Sequence, residues 1–145
     1  MADAIAQWRL QFRGVPRVKD DVSITSDDIA SNNLVLWGDP QSNQLLAKIA
    51  AQLPIRWEGG EIQVGDRKYA TDKNVPVLIY PNPLNPKRYV VINSGFTFSG
   101  AAHLSNALQT PKLPDYAVID FSSQSGDGVV DAGFFDEHWQ LATAK

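Results

Sequence analysis

The sequence predicts a three-layer α/β sandwich of Rossmann-like or flavodoxin-like type, with helices on both faces of a mixed, mainly parallel sheet. Three observations lead there. The apolar run Leu34-Val35-Leu36-Trp37 is followed by a helical stripe (Leu45, Leu46, Ile49, Leu53) and then by Ile55-Arg56-Trp57, a strand-helix-strand unit expected to be right-handed. The two strongest strand segments, Val75 to Tyr80 and Tyr89 to Ile92, are joined by only eight residues, too few for a parallel crossover, so if adjacent in the sheet they pair antiparallel. A helical stretch from Ser99 to Leu108 then leads to the short apolar strand Tyr116-Ala117-Val118-Ile119, a second such unit.

The remaining elements follow in chain order. Ile5, Trp8 and Phe12 fall on one face of a helix ended by Gly14 and Pro16. Val15 to Ile24 lacks a period and reads as an extended arm. Ser26-Asp27-Asp28 puts carboxylates in the first turn of a short helix that Asn32-Asn33 breaks. Asp39 is placed to cap the helix after the first strand, with Pro40 at its first position. Ile62 and Val64 alternate with polar residues between the turns Glu58-Gly59-Gly60-Glu61 and Gly65-Asp66, which suits short antiparallel strands continuing through Lys68-Tyr69. Ser122 to Gly128 is a Ser/Gly/Asp loop read as mobile, after which Val129-Val130, Phe134-Phe135, Trp139 and Leu141 restore apolar character.

Composition narrows the function. With 145 residues, 43% hydrophobic and 20% charged, the chain has the makeup of one ordinary globular domain. It contains no cysteine, which excludes disulfides, thiolate nucleophiles and Cys-based zinc sites. Thirteen basic residues against sixteen acidic ones, without a basic run, argue against a nucleic-acid partner. The apolar runs are far shorter than the ~20 residues that span a bilayer, so no membrane partner is expected. The opening residues have no basic stretch and are not a secretory signal as they stand.

Few residues propose chemistry. Gly38-Asp39-Pro40-Gln41-Ser42-Asn43 lies where open α/β sheets bind ligands, at a strand's carboxyl end, so Asp39, Ser42 and Asn43 are candidate binding residues. The segment lacks the glycine patterns of phosphate-binding loops, and plain helix capping is the favoured reading. Ser94 is the hydroxyl nearest a strand end, but Ile92 stands where a nucleophile elbow needs glycine. A triad would need His103 or His138 as base, with Asp120 or Asp136 behind it. The histidines are 35 residues apart, so no metal is proposed, and nothing calls for a cofactor. Pro81-Asn82-Pro83-Leu84-Asn85-Pro86 is a pre-set loop. Asn82 and Asn85 either recognise a ligand or fix a structural corner, and the corner is preferred.

Several segments together resemble the C-terminal region of large bacterial esterase or prolyl-oligopeptidase-like proteins, in which an α/β-hydrolase domain comes first. They are Trp8-Arg9 through Gly14, Asp27-Asp28-Ile29-Ala30, Asn33 to Pro40, Tyr80-Pro81-Asn82-Pro83-Leu84-Asn85-Pro86, Tyr89 to Phe98, Leu113-Pro114-Asp115-Tyr116 and Ala132-Gly133-Phe134-Phe135-Asp136. Ser99-Gly100-Ala101-Ala102 departs from the larger residues usual there. In that family the nucleophile lies in the preceding domain, so no catalytic residue carries over. The resemblance implies a noncatalytic accessory domain of an exported hydrolase. Residues 1–31 would be a helix and arm joining the upstream domain, and residues 32–145 the α/β domain itself. Two rivals stand beside it: a small serine hydrolase using Ser94, and a small-ligand module in which the Gly38 to Asn43 segment meets Asn82 or Asn85. The last requires the strand ending at Tyr80 to run parallel to the one ending at Trp37.

Overall fold

A computed structural model describes residues 5–6, 8–9, 13–93, 114–123 and 128–142. Among these the chain is mostly β. Eight strands form two sheets, accompanied by two short helices, further helical residues near the N-terminus, and single 3₁₀ turns at Asp21–Ser23 and Ala50–Gln52. The predicted α/β sandwich is therefore wrong. The large sheet has the order β1 (Leu34–Leu36), β6 (Asn85–Ile92), β5 (Asn74–Asn82), β7 (Tyr116–Asp120), β8 (Val129–Gly133). Only β1 and β6 pair in parallel; the β6–β5, β5–β7 and β7–β8 contacts are antiparallel, so the sheet is mixed but not mainly parallel.

The first strand-helix-strand expectation fails at its second strand. Arg56–Glu58 (β2) joins β3 (Glu61–Val64) and β4 (Arg67–Ala70) in a separate antiparallel sheet, and the parallel neighbour of β1 is β6. The cause is local. Gly59 and Gly60 both adopt positive φ, which closes a tight hairpin whose twist matches its strands, so Trp57 is captured by Ile62 rather than by β1. In the second expected unit β6 and β7 do run parallel, but β5 lies between them, antiparallel to both. The predicted Ser99 to Leu108 helix lies outside the described residues, as does most of the loop between Ser122 and Gly128.

The central hairpin is as expected in sense but longer. β5 and β6 extend to Asn82 and Asn85, leaving only Pro83-Leu84 between them, with a register shift at Pro81/Asn82. Prolines are tolerated there because the shift and the hairpin end spare the ladder their missing donors.

Helix α1 (Ser26–Ser31) opens with a capping box: Thr25 accepts from the Asp28 N–H, and Asp28 accepts from the Thr25 N–H. Helix α2 (Gln44–Ile49) starts four residues later than a cap at Asp39 would place it. Asn43 is its cap, its Oδ1 accepting from Leu45 and Leu46 N–H. Ile5, Ala6, Trp8 and Arg9 are helical, and the arm from Val15 to Asp20 is irregular until the 3₁₀ turn.

One core holds the layers together. Leu34 and Leu36 of β1, Val90 and Ile92 of β6, Leu78 of β5, and Tyr116 and Val118 of β7 present one face of the large sheet. Leu45, Leu46 and Ile49 of α2 and Trp57, Ile62 and Val64 of the small sheet belong to the same buried cluster. Removing this apolar area from water supplies the main driving force, at roughly 25 cal/mol per Å². Val77, Ala117 and Ile119 form a smaller buried cluster on the opposite face.

Candidate functional site

The polar groups of the Gly38 to Asn43 segment are engaged in building it. Asp39 Oδ1 accepts from Gln41 N–H at 2.7 Å and Ser42 N–H at 2.9 Å, Ser42 Oγ accepts from Asp39 N–H, and Asn43 Nδ2 donates to the Trp37 carbonyl at 3.1 Å. Gly38 has φ +103°, and a Cβ there would meet Ser42 Oγ at 2.7 Å. The turn is thus closed around its own side chains.

Asn93, which the sequence reading passed over, fixes this end of the sheet. It is buried with φ +53°; its N–H donates to the Leu36 carbonyl, its Oδ1 accepts from Gly38 N–H, and its Nδ2 donates to the carbonyls of Gly38 and Pro76. One side chain thereby ties the ends of β1 and β6 to β5. An asparagine directly after a strand, opposite a Gly-Asp turn, was the available signal, because asparagine tolerates the left-handed region.

Asn82 and Asn85 stand at the other end. β5 is antiparallel to β6 and hence to β1, so these residues and the Gly38 to Asn43 segment are not brought together. Asn85 Nδ2 donates to the carbonyls of Ile29 at 3.0 Å and Ala30 at 3.3 Å, closing the C-terminus of α1, and Arg88 Nε adds a bond to Ala30. Asn82 Oδ1 accepts from Leu84 N–H in the hairpin turn, while its buried Nδ2 has no partner.

The hydrolase constellation is dispersed where it can be seen. Ser94 and His103 lie outside the described residues. His138 is 79% exposed at its side chain and lies 3.9 Å from the equally exposed Glu137. Asp136 takes the N–H groups of Gln140 and His138, which, with the Gln140 bond foremost, hold its carboxyl below the usual range. Asp120 ends β7 and accepts from Ser122 Oγ at 2.6 Å, which likewise lowers its pKa. Asp120 and the Asp136–His138 turn sit at opposite ends of β7, since Asp115, just before that strand, accepts from Phe135 N–H.

Among the described residues no group of three or more histidines and carboxylates is placed to hold a metal, and no helix is long and apolar enough to cross a membrane. The buried charge is elsewhere. Asp131 of β8 meets Arg67 Nη1 at 2.9 Å and the Tyr69 hydroxyl, which donates to it at 2.8 Å. Burial, with the Asp131 bond second, raises the Tyr69 pKa; burial pulls that of Arg67 down, but Asp131 together with Tyr116 and Tyr69 outweighs it and the net direction is up. Arg67 and Tyr69, two residues apart on β4, share a face, and this was legible only once the docking of the sheets was known.

A groove of about 480 Å³ lies between the N-terminal arm and β1. Its walls include Trp8, Val15 and Val18 on one side and Leu34, Val35 and Leu36 on the other. Val15, Val18 and Val22 are 76%, 51% and 68% exposed. No family model, curated protein or solved structure matches this chain.

Proposed function

We propose that the chain is a noncatalytic interaction module of a larger bacterial hydrolase, an esterase or prolyl-oligopeptidase-like peptidase, and that it docks on the catalytic domain through its N-terminal helix and arm. The observation that carries the reading is the exposure of Val15, Val18 and Val22 in one short arm beside Trp8. Scattered apolar residues need no explanation, but three in one segment bordering an apolar groove are what an interaction surface requires. The segments resembling the hydrolase C-terminal region supply the parent class. Inside that parent the module's part is to pack against the catalytic domain and frame its entrance.

Two measurements on the purified chain test this. Ester and peptide substrates should not be turned over, with Ser94→Ala as the control for contaminating activity. Sedimentation with a separately purified α/β-hydrolase domain of such a protein should give a complex that Val15→Asp with Val18→Asp and Val22→Asp abolishes. Turnover lost in Ser94→Ala would overturn the reading.

A further inference from the structure

We propose that the groove along β1 takes one extended, aliphatic peptide segment of a partner protein, which adds a strand to the free edge of the large sheet. The proposal deepens the docking reading above and rests on it only for the existence of a partner.

The groove follows an edge rather than a face, because residues from both faces of β1 line it: Leu34 and Leu36 point to the core, and Val35 between them points the other way. The backbone agrees. Leu36 pairs with Ile92 and its carbonyl accepts from Asn93 N–H at 2.8 Å, so the peptide groups of Leu34 and Leu36 are turned to β6. Alternation then turns the N–H and C=O of Val35 toward the groove. A purely apolar ligand would cover both groups and leave them unpaired, at a cost comparable to a lost hydrogen bond for each. An extended peptide satisfies them with one donor and one acceptor of its own, the main-chain pairing used in strand addition.

Charge restricts the occupant further. Lys19 is paired with Asp28 at 2.7 Å, and Asp21 Oδ2 accepts from the Gln44 N–H at 2.6 Å. The Gln44 bond leaves the Asp21 charge in place, so among the described groove residues Arg17 stands against Asp20 and Asp21, and the single negative charge left over disfavours an acidic occupant. The apolar walls then call for aliphatic, β-branched side chains on the inserted strand. The opposite edge is guarded against the same event. On β8 the bulge at Val130 breaks the ladder, and Asp131 points a charge inward, two devices that oppose edge pairing.

The test titrates the whole chain with a blocked hexapeptide of alternating threonine and valine, and with the same peptide N-methylated at its central residues. Strand addition predicts a saturable shift of the Val35 amide resonance, at least tenfold slower exchange of that amide, and at least tenfold weaker binding of the N-methylated peptide. Val35→Pro should abolish binding while keeping its fold, checked by circular dichroism, since the donor it loses faces the groove and not β6. Val18→Asp, which puts a charge in the wall, should do the same without touching the strand. Equal binding of both peptides, or no change at Val35 at millimolar peptide, overturns the proposal. So does a Val35 shift that follows protein concentration without peptide, because a second copy would then hold the edge. Val35→Pro, which leaves the exposed valines of the arm intact, should spare docking on the hydrolase domain and so separates the two readings, and hydrolysis by the chain would retire the docking reading without bearing on the groove.

Discussion

Arg67 and Asp131 form an ion pair at 2.9 Å in which the carboxylate side chain is 2% exposed and the arginine side chain 58%. The pair joins β4 of the small sheet to β8 of the large one, and Arg67 Nη2 also reaches the Tyr116 hydroxyl on β7 at 3.4 Å. The two partners are not equivalent. Removing Arg67 leaves a buried charge with only the Tyr69 hydroxyl, whereas removing both charges leaves none. Arg67→Met is expected to destabilise by about 1–3 kcal/mol, discounted for the exposure of the guanidinium. The double variant Arg67→Met with Asp131→Leu should recover part of that loss in urea unfolding. A double-mutant cycle with no coupling would show that the pair does not seat the small sheet.

A second prediction concerns Gly133 on β8. A Cβ there would lie 2.5 Å from the Tyr116 hydroxyl and within 3 Å of two of its ring carbons. Tyr116 is buried and stacked on Phe135 with centroids 5.4 Å apart, so the ring has no space to yield. Gly133→Ala should cost about 1–3 kcal/mol by overpacking. Tyr116→Phe in the same background should return part of it, which thermal unfolding can read.

Asn93 separates two effects that usually travel together. Asn93→Ala deletes the side-chain bonds to Gly38 and Pro76 and keeps a Cβ at φ +53°, for an expected loss of about 2–4 kcal/mol. Asn93→Gly deletes the same bonds but suits the backbone, so it should be about 1 kcal/mol less damaging. Equal losses in chemical denaturation would mean that the left-handed backbone contributes nothing.

Acid should reach the arm late. The side-chain bond from Lys19, followed by the bonds from Thr25, holds the Asp28 carboxyl well below the ordinary carboxylate range. A folded-state pKa depressed in this way contributes stability that is complete above the unfolded value, about 3.9, and disappears as pH falls through the lower folded value. The capping box and the Lys19 contact should therefore persist through the range where ordinary aspartates protonate. A carbon-detected carboxyl titration should place Asp28 last among the aspartates of the arm and α1. Lys19→Met should move its midpoint upward.

What the sequence made legible was mostly local. The β3–β4 hairpin, the antiparallel sense of β5 and β6, the short helix α1 and the extended arm follow from turn glycines, alternation and capping residues within a few positions of each other. Strand partners chosen across the chain were not legible. Leu34-Val35-Leu36 reads the same whether its neighbour is Trp57 or Val91, and the nearer candidate was the wrong one because Gly59-Gly60 had already committed Trp57 to a hairpin. Asp39 was mistaken for a helix cap because Asn43, four residues on, is equally suited and lies nearer the apolar stripe. Of the candidate site residues, Asn82 and Asn85 carry turn and helix-closing bonds that fit the corner reading of their loop. The groove had no signature, since it arises from the spacing of the arm against β1.

The parallel pairing of β1 with β6 also has a kinetic side. Leu34 meets Val90 only after the small sheet and most of the central hairpin have been traversed, whereas β2, β3 and β4 close on one another through tight turns. Local hairpins form in roughly microseconds, and contacts between distant segments must first overcome loop closure. The small sheet and the β5–β6 ribbon are therefore early structure, and β1 is the late arrival that completes the large sheet. Substitutions in Leu34 or Leu36 should act chiefly on the unfolding rate, while those in Ile62 or Val64 should slow folding itself.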